Sequence, residues 1–144
     1  MRMRDTAGDA GVKARCDCGA VTFSAPRPPV LQLLCHCRDC QAATGAAFAR
    51  LAFFSLDGAT VVGAVQAQSF TAASGNATVR ERCAACGTVM FDRSTGFPGL
   101  LGVIAERLSP PFVFKPVCHV WTDSGQPTLL PDDGLRRFPR NFER

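Results

Sequence analysis

Seven of the eight cysteines in this 144-residue chain fall into three tight groups, Cys16-x-Cys18, Cys35-His36-Cys37-x-x-Cys40 and Cys83-x-x-Cys86. Thiols clustered in this way, behind an N-terminus with no apolar signal-like run, are expected to bind metal rather than form disulfides. A bridge from Cys16 to Cys18 would in any case close a strained small ring. The grouping carries a count. Cys16, Cys18, Cys83 and Cys86 together supply four thiolates, a closed tetrahedral structural zinc site. Cys35, Cys37 and Cys40 supply three, and zinc held by three protein ligands keeps one position free for chemistry.

The chemistry expected of the open site follows from its charge. Three thiolates make a zinc centre formally −1, a weaker Lewis acid than a three-histidine site. Such an ion suits capture of an incoming thiol, which becomes a thiolate at neutral pH. A thiolate poised in this way attacks a small electrophilic carbonyl, so the expected reaction is addition of a thiol to an aldehyde, or the reverse. In an extended stretch His36 faces away from Cys35 and Cys37, which makes it a poor fourth ligand. Cys118, His119 and His36 are the donors available if the second zinc is instead structural.

These groups must be positioned by the elements around them. Val21 to Ser24 alternates and is rich in β-formers, and Pro26, Pro28 and Pro29 end it. Val30 to Leu34 runs directly into the cysteine triplet, and Phe48 to Ser55 is a further apolar run. Thr78 to Arg82 leads into Cys83, and Thr88 to Phe91 leaves Cys86-Gly87, so this pair sits on a knuckle between two strands. Leu100 to Ala105 and Pro111 to Trp121 complete the expected strands. Gln41 to Ala47 is the best candidate for a helical turn, and nothing regular is expected after Trp121. The reading is all-β with minor helix, as a flexible leader over 1–13 and a single domain over 14–144.

Composition is ordinary for a globular chain, with 47% hydrophobic and 19% charged residues. The formal charge is +4. Seven thiolates subtract seven charges and two zinc ions return four, which leaves +1, so the apparent basicity does not argue for nucleic acid. The longest apolar stretch is too short to span a bilayer. A cytoplasmic protein without membrane partners is expected.

The sequence resembles the glutathione-dependent formaldehyde-activating family, also grouped with centromere protein V-like domains. The resemblance lies in Cys16-Asp17-Cys18-Gly19-Ala20-Val21-Thr22-Phe23, Cys35-His36-Cys37-Arg38-Asp39-Cys40-Gln41-Ala42-Ala43-Thr44-Gly45, Cys83-Ala84-Ala85-Cys86-Gly87-Thr88, Lys115-Pro116 and His119-Val120-Trp121, in that order. It implies a zinc-stabilised β-tent fold of short antiparallel strands with little helix. It implies the same division into a structural site at Cys16, Cys18, Cys83 and Cys86 and a catalytic site at Cys35, Cys37 and Cys40. The implied activity is a carbon–sulfur lyase that joins glutathione, as co-substrate, to formaldehyde to give S-hydroxymethylglutathione. Arginine is common in the family where this chain has Gln41.

Two other readings compete. In one, both zincs are structural and the domain docks a protein or nucleic acid. In the other, Cys118 is a redox thiol of a methionine sulfoxide reductase-like enzyme, although a lone cysteine in an apolar strand is expected to be a small core residue. His119 is expected to pack or hydrogen-bond, and Trp121 to line core or pocket. Arg38, Arg50 and Arg93 are candidate partners for glutathione carboxylates, with surface solvation as their simpler role. The basic tail Arg136 to Arg140 is diluted by Asp132, Asp133 and Glu143 and is expected to be solvated.

Overall fold

The computed structural model describes residues 11–142. Among the described residues, eleven short strands and one α-helix make a mainly β fold, as expected. A three-stranded sheet is formed by β1 (Val12–Arg15), β2 (Thr22–Ala25) and β5 (Thr60–Val62) in the order β1-β2-β5. The larger sheet uses β3 (Leu31–Cys35), β4 (Ala49–Ser55), β6 (Val65–Thr71), β7 (Ala77–Cys83), β8 (Val89–Ser94), β9 (Leu100–Ile104), β10 (Cys118–Val120) and β11 (Arg136–Arg137). Its order is β11-β10-β3-β4-β9-β8-β7-β6.

The near-continuous apolar run of β4 explains its central place, because a strand covered on both faces has no polar side to show. Ala52 and Phe54 join Val21, Phe23, Phe91 and Val103 in the core between the two sheets. Leu51 and Phe53 alternate to the opposite face, where they pack with Leu33, Val120, Phe138 and the cysteine triplet. The large sheet therefore separates two cores. A register shift between Glu81 and Arg82, with Arg82 paired to Val89, lets the consecutive Met90 and Phe91 enter the same core, both fully buried.

Several boundaries differ from the sequence expectation. The helix, α1, spans Arg38–Thr44 and begins three residues earlier than anticipated. Cys37 is its cap: extended at φ −63° and ψ 156°, it accepts a hydrogen bond from Cys40 N to its Sγ at 3.3 Å. The helix ends at Gly45. Of Pro111 to Trp121 only Cys118–Val120 is strand, and it pairs parallel, not antiparallel, with both β3 and β11. After Trp121 there are two 3-10 turns, Thr122–Ser124 and Pro127–Leu129, and β11, where no regular structure was expected. The leader expected over 1–13 lies mostly outside the described residues, and its last two, Val12 and Lys13, belong to β1. Among the described residues no helix is long and apolar enough to cross a membrane.

Candidate metal centres and the adjoining cavity

The four cysteines assigned to the closed site converge from the end of β1 and from the β7–β8 knuckle. Their sulfurs all lie within 4.8 Å of one another, with Cys16 to Cys18 at 3.6 Å and Cys18 to Cys83 at 3.8 Å. Tetrahedral zinc with Zn–S bonds of about 2.3 Å sets its sulfurs roughly 3.8 Å apart, so the donor set fits that ion. Backbone amides already point at these sulfurs. Val21 N donates to Cys16 Sγ at 3.3 Å, and Ala85 N and Cys86 N each donate to Cys83 Sγ at 3.4 Å. Gly19 and Gly87 hold these turns with φ of 80° and 75°, a region that a side chain would strain. The Thr88 hydroxyl, followed by its backbone, lowers Cys86 to about 5, which favours the thiolate a metal needs.

The triplet assembles on the other face of the sheet. Cys35 ends β3, Cys37 caps α1 and Cys40 sits in its first turn, and the three buried sulfurs lie within 4.8 Å of one another. The capping geometry brings Cys40 back to Cys37: a thiol that terminates a helix is placed to ligate what its first turn also ligates. Hydrogen bonds from Cys35 and then Cys40 hold Cys37 low, at about 3, and Cys37 in turn raises Cys35. These donors also fit a zinc ion, with three protein ligands rather than four.

The sulfurs line a cavity of about 80 Å³ walled by Leu33, Phe53, Phe70, Phe97 and Trp121, with Arg80 and Asp92 among its polar members. Arg80 was not singled out in the sequence, yet its guanidinium reaches the triplet. Its Nη2 lies 3.8 Å from Cys40 Sγ and 2.8 Å from Asp92 Oδ2, and its Nη1 donates to Asp39 O at 3.2 Å. It is 6% exposed, and its Nε is buried without a partner. Burial raises the Asp92 pKa even though Arg80 opposes it, whereas burial opposes, and the Cys40 and Asp92 charges produce, a rise at Arg80. The sequence signal that could have exposed it is cross-strand: Arg80 on β7 stands opposite Asp92 on β8.

Removing one partner of this pair has a defined expected result. Arg80→Met leaves a buried carboxylate without a counter-charge and lowers stability in urea unfolding by about 3–5 kcal/mol. The double change Arg80→Met with Asp92→Leu regains most of that loss. A single variant as stable as the parent would show that Asp92 does not depend on Arg80.

His36 turns away from the sulfurs, as anticipated. Its Nε2 is 2.8 Å from Nδ1 of His119, whose Nε2 is 2.9 Å from Asp133 Oδ2. Burial, followed by the neighbouring His119, lowers His36 to about 4, so its ring is neutral at pH 7. This chain, buried at His36 and His119 and exposed at Asp133, ties the Cys35–Cys37 segment to β10 and the C-terminal loops. Gln41 braces the same segment, donating to His36 O at 2.7 Å and Ser124 O at 2.9 Å.

The remaining sequence candidates lie elsewhere. Cys118 is 2% exposed in the core, does not line the cavity, and has its thiol pKa raised by burial, a poor setting for a redox nucleophile. Arg50 pairs with Glu106 and lies over Phe48, and Arg93 pairs with Glu81. Arg38 is exposed at the start of α1. None of these three arginines lines the cavity, whereas Trp121 does.

Residues 11–124 match the family described as "Glutathione-dependent formaldehyde-activating enzyme". Among curated proteins, none matches the chain at a significant level. Among solved structures, a crystal structure of a Rhodobacter sphaeroides protein is similar at 20% identity and a TM-score of 0.53, over 88% of this chain and 98% of that one, a likeness of fold.

Proposed function

Because the chain belongs to the glutathione-dependent formaldehyde-activating family, we propose that it is a zinc-dependent enzyme of the carbon–sulfur lyase type, which joins a thiol to a small aldehyde. Cys35, Cys37 and Cys40 would hold the catalytic zinc, and Cys16, Cys18, Cys83 and Cys86 the structural one. A zinc bound by the triplet would supply the Lewis acidity that lets an incoming thiol lose its proton near neutral pH. Glutathione is the thiol, and formaldehyde the aldehyde, that the family's description suggests.

The observation that carries this reading is a buried group of three sulfurs, not four, opening on a cavity. In the reaction the thiol proton leaves, the sulfur lone pair forms the new S–C bond, and the carbonyl π electrons move to oxygen, which takes up a proton. The chain's own contribution is placement and environment. Phe53, Phe70, Phe97 and Trp121 keep water from the sulfurs. Arg80, beside Cys40, offsets the negative charge of the cysteine set when a further sulfur arrives. Gln41 and the His36–His119–Asp133 chain fix the segment that carries Cys35 and Cys37.

X-ray absorption on zinc-loaded protein tests the proposal. Addition of glutathione should raise the mean sulfur coordination per zinc, because one centre gains a ligand while the other stays full. Unchanged coordination with saturating thiol would remove the catalytic assignment.

A further inference from the structure

The cavity beside the triplet does not stand alone. At about 80 Å³ it accepts only the reacting end of a substrate, since sites that enclose whole ligands run to roughly 300–1,000 Å³. It shares Asn76, Phe97, Asn141 and Phe142 with an outer groove of about 750 Å³, whose other described walls are Val30, Leu31, Gly96 and Leu100. Five of these eight residues present apolar side chains, and none of the eight is ionisable.

Resting on the thiol-addition reading above, we infer that the part of the substrate remote from its sulfur is an uncharged apolar or aryl group held in this groove. The chain is therefore selective for apolar thiols and their aldehyde adducts over glutathione.

Several details converge on that class. Phe97, which walls both cavity and groove, is held in place by stacking on Phe53, with centroids 4.5 Å apart and planes at 25°. A positioned ring at the junction suits a second ring or an alkyl chain. Val30 is 63% exposed and Leu31 and Leu100 are half-buried, so apolar surface remains there to be covered. The amide of Asn76 is already engaged: Nδ2 donates to Ser74 Oγ at 3.0 Å, and Oδ1 accepts from Thr95 at 3.2 Å. Glutathione carries two carboxylates and an ammonium group, and charges that leave water need partners. Among the described residues of the cavity the one cation is Arg80, and both its Nη groups are already directed at Asp92, Asp39 and Cys40.

The test uses the zinc-loaded full chain and exchange NMR between formaldehyde plus thiol and the hydroxymethyl adduct, with benzyl mercaptan compared against glutathione. Covering one aryl ring should raise kcat/KM for benzyl mercaptan roughly tenfold to a hundredfold over glutathione. Val30→Arg changes an exposed residue, so the fold survives, and it should lower that ratio about tenfold by admitting a carboxylate and repelling nothing apolar elsewhere. A second readout is independent of turnover. Titration with benzyl methyl sulfide, which has no thiol, should shift the methyl resonances of Val30, Leu31 and Leu100. Glutathione turned over as well as or better than benzyl mercaptan, or methyl shifts confined to other parts of the protein, would overturn the preference. Acceleration of neither thiol would overturn the thiol-addition reading beneath it, an outcome distinct from glutathione winning.

Discussion

Cys37→Ser is expected to lower thiol–aldehyde exchange by about three orders of magnitude or more while leaving a folded protein. Removing a ligand from a zinc that organises the reaction forfeits several kcal/mol of transition-state stabilisation. The fold should persist because Cys37 works at one edge of its core: serine is nearly isosteric and is itself a favoured helix cap, so the hydrogen bond from Cys40 N is retained. The measurements are exchange rates, zinc content and circular dichroism together. Zinc content should fall by one ion per chain. Full activity in a chain that has lost that ion would end the catalytic assignment of the triplet.

Cys16→Ser should have the opposite profile, with loss of structure as the primary event. The pairs Cys16/Cys18 and Cys83/Cys86 are separated by 64 residues of chain, and their sulfurs meet at the edge of the core between the two sheets. Structural zinc sites release on the order of 10–16 kcal/mol when metal binds, comparable with or larger than the total stability of a domain. The variant should therefore unfold in urea at a much lower concentration than the parent, or fail to fold. Chelation of the parent should do the same. A Cys16→Ser protein with an unshifted urea midpoint would show that the four sulfurs do not hold the fold together.

The cysteines were legible in the sequence because ligand spacing is local and chemically specific. Cys16, Cys18, Cys83 and Cys86 meet as one group, and Cys35, Cys37 and Cys40 as another. The central strands were legible for a similar reason: runs such as Leu51 to Phe54 show their burial in composition alone. The helix was displaced because cysteine is not ordinarily read as a cap, and the sequence-based choice began only after Cys40. A strand was expected through Cys118–Val120, but its short extent and parallel pairing were not legible because its partners, Leu33 to Cys35 and Arg136 to Arg137, are remote in sequence. Arg80 escaped for a different reason. Among Thr78, Val79, Arg80 and Glu81 the valine is the natural inward residue, yet the sheet buries Arg80 against Asp92. That inversion is invisible until the facing strand is known. Arg38, Arg50 and Arg93 were considered as anion partners by residue type, and their positions outside the cavity are a matter of topology.

Cys83 closes the structural group, and three residues earlier on the same strand Arg80 faces the opposite core; Asn76 and Thr78, further back on that segment, also wall the cavity. Two members of the structural group, Cys18 and Cys86, reach the surface. On the proposed reading, two of the sulfurs assigned to the structural zinc stand where aldehydes, which attack thiols, can reach them. An adduct at either would take a donor from the group that joins the end of β1 to the end of β7, so on that reading excess electrophile acts on the protein through its scaffold.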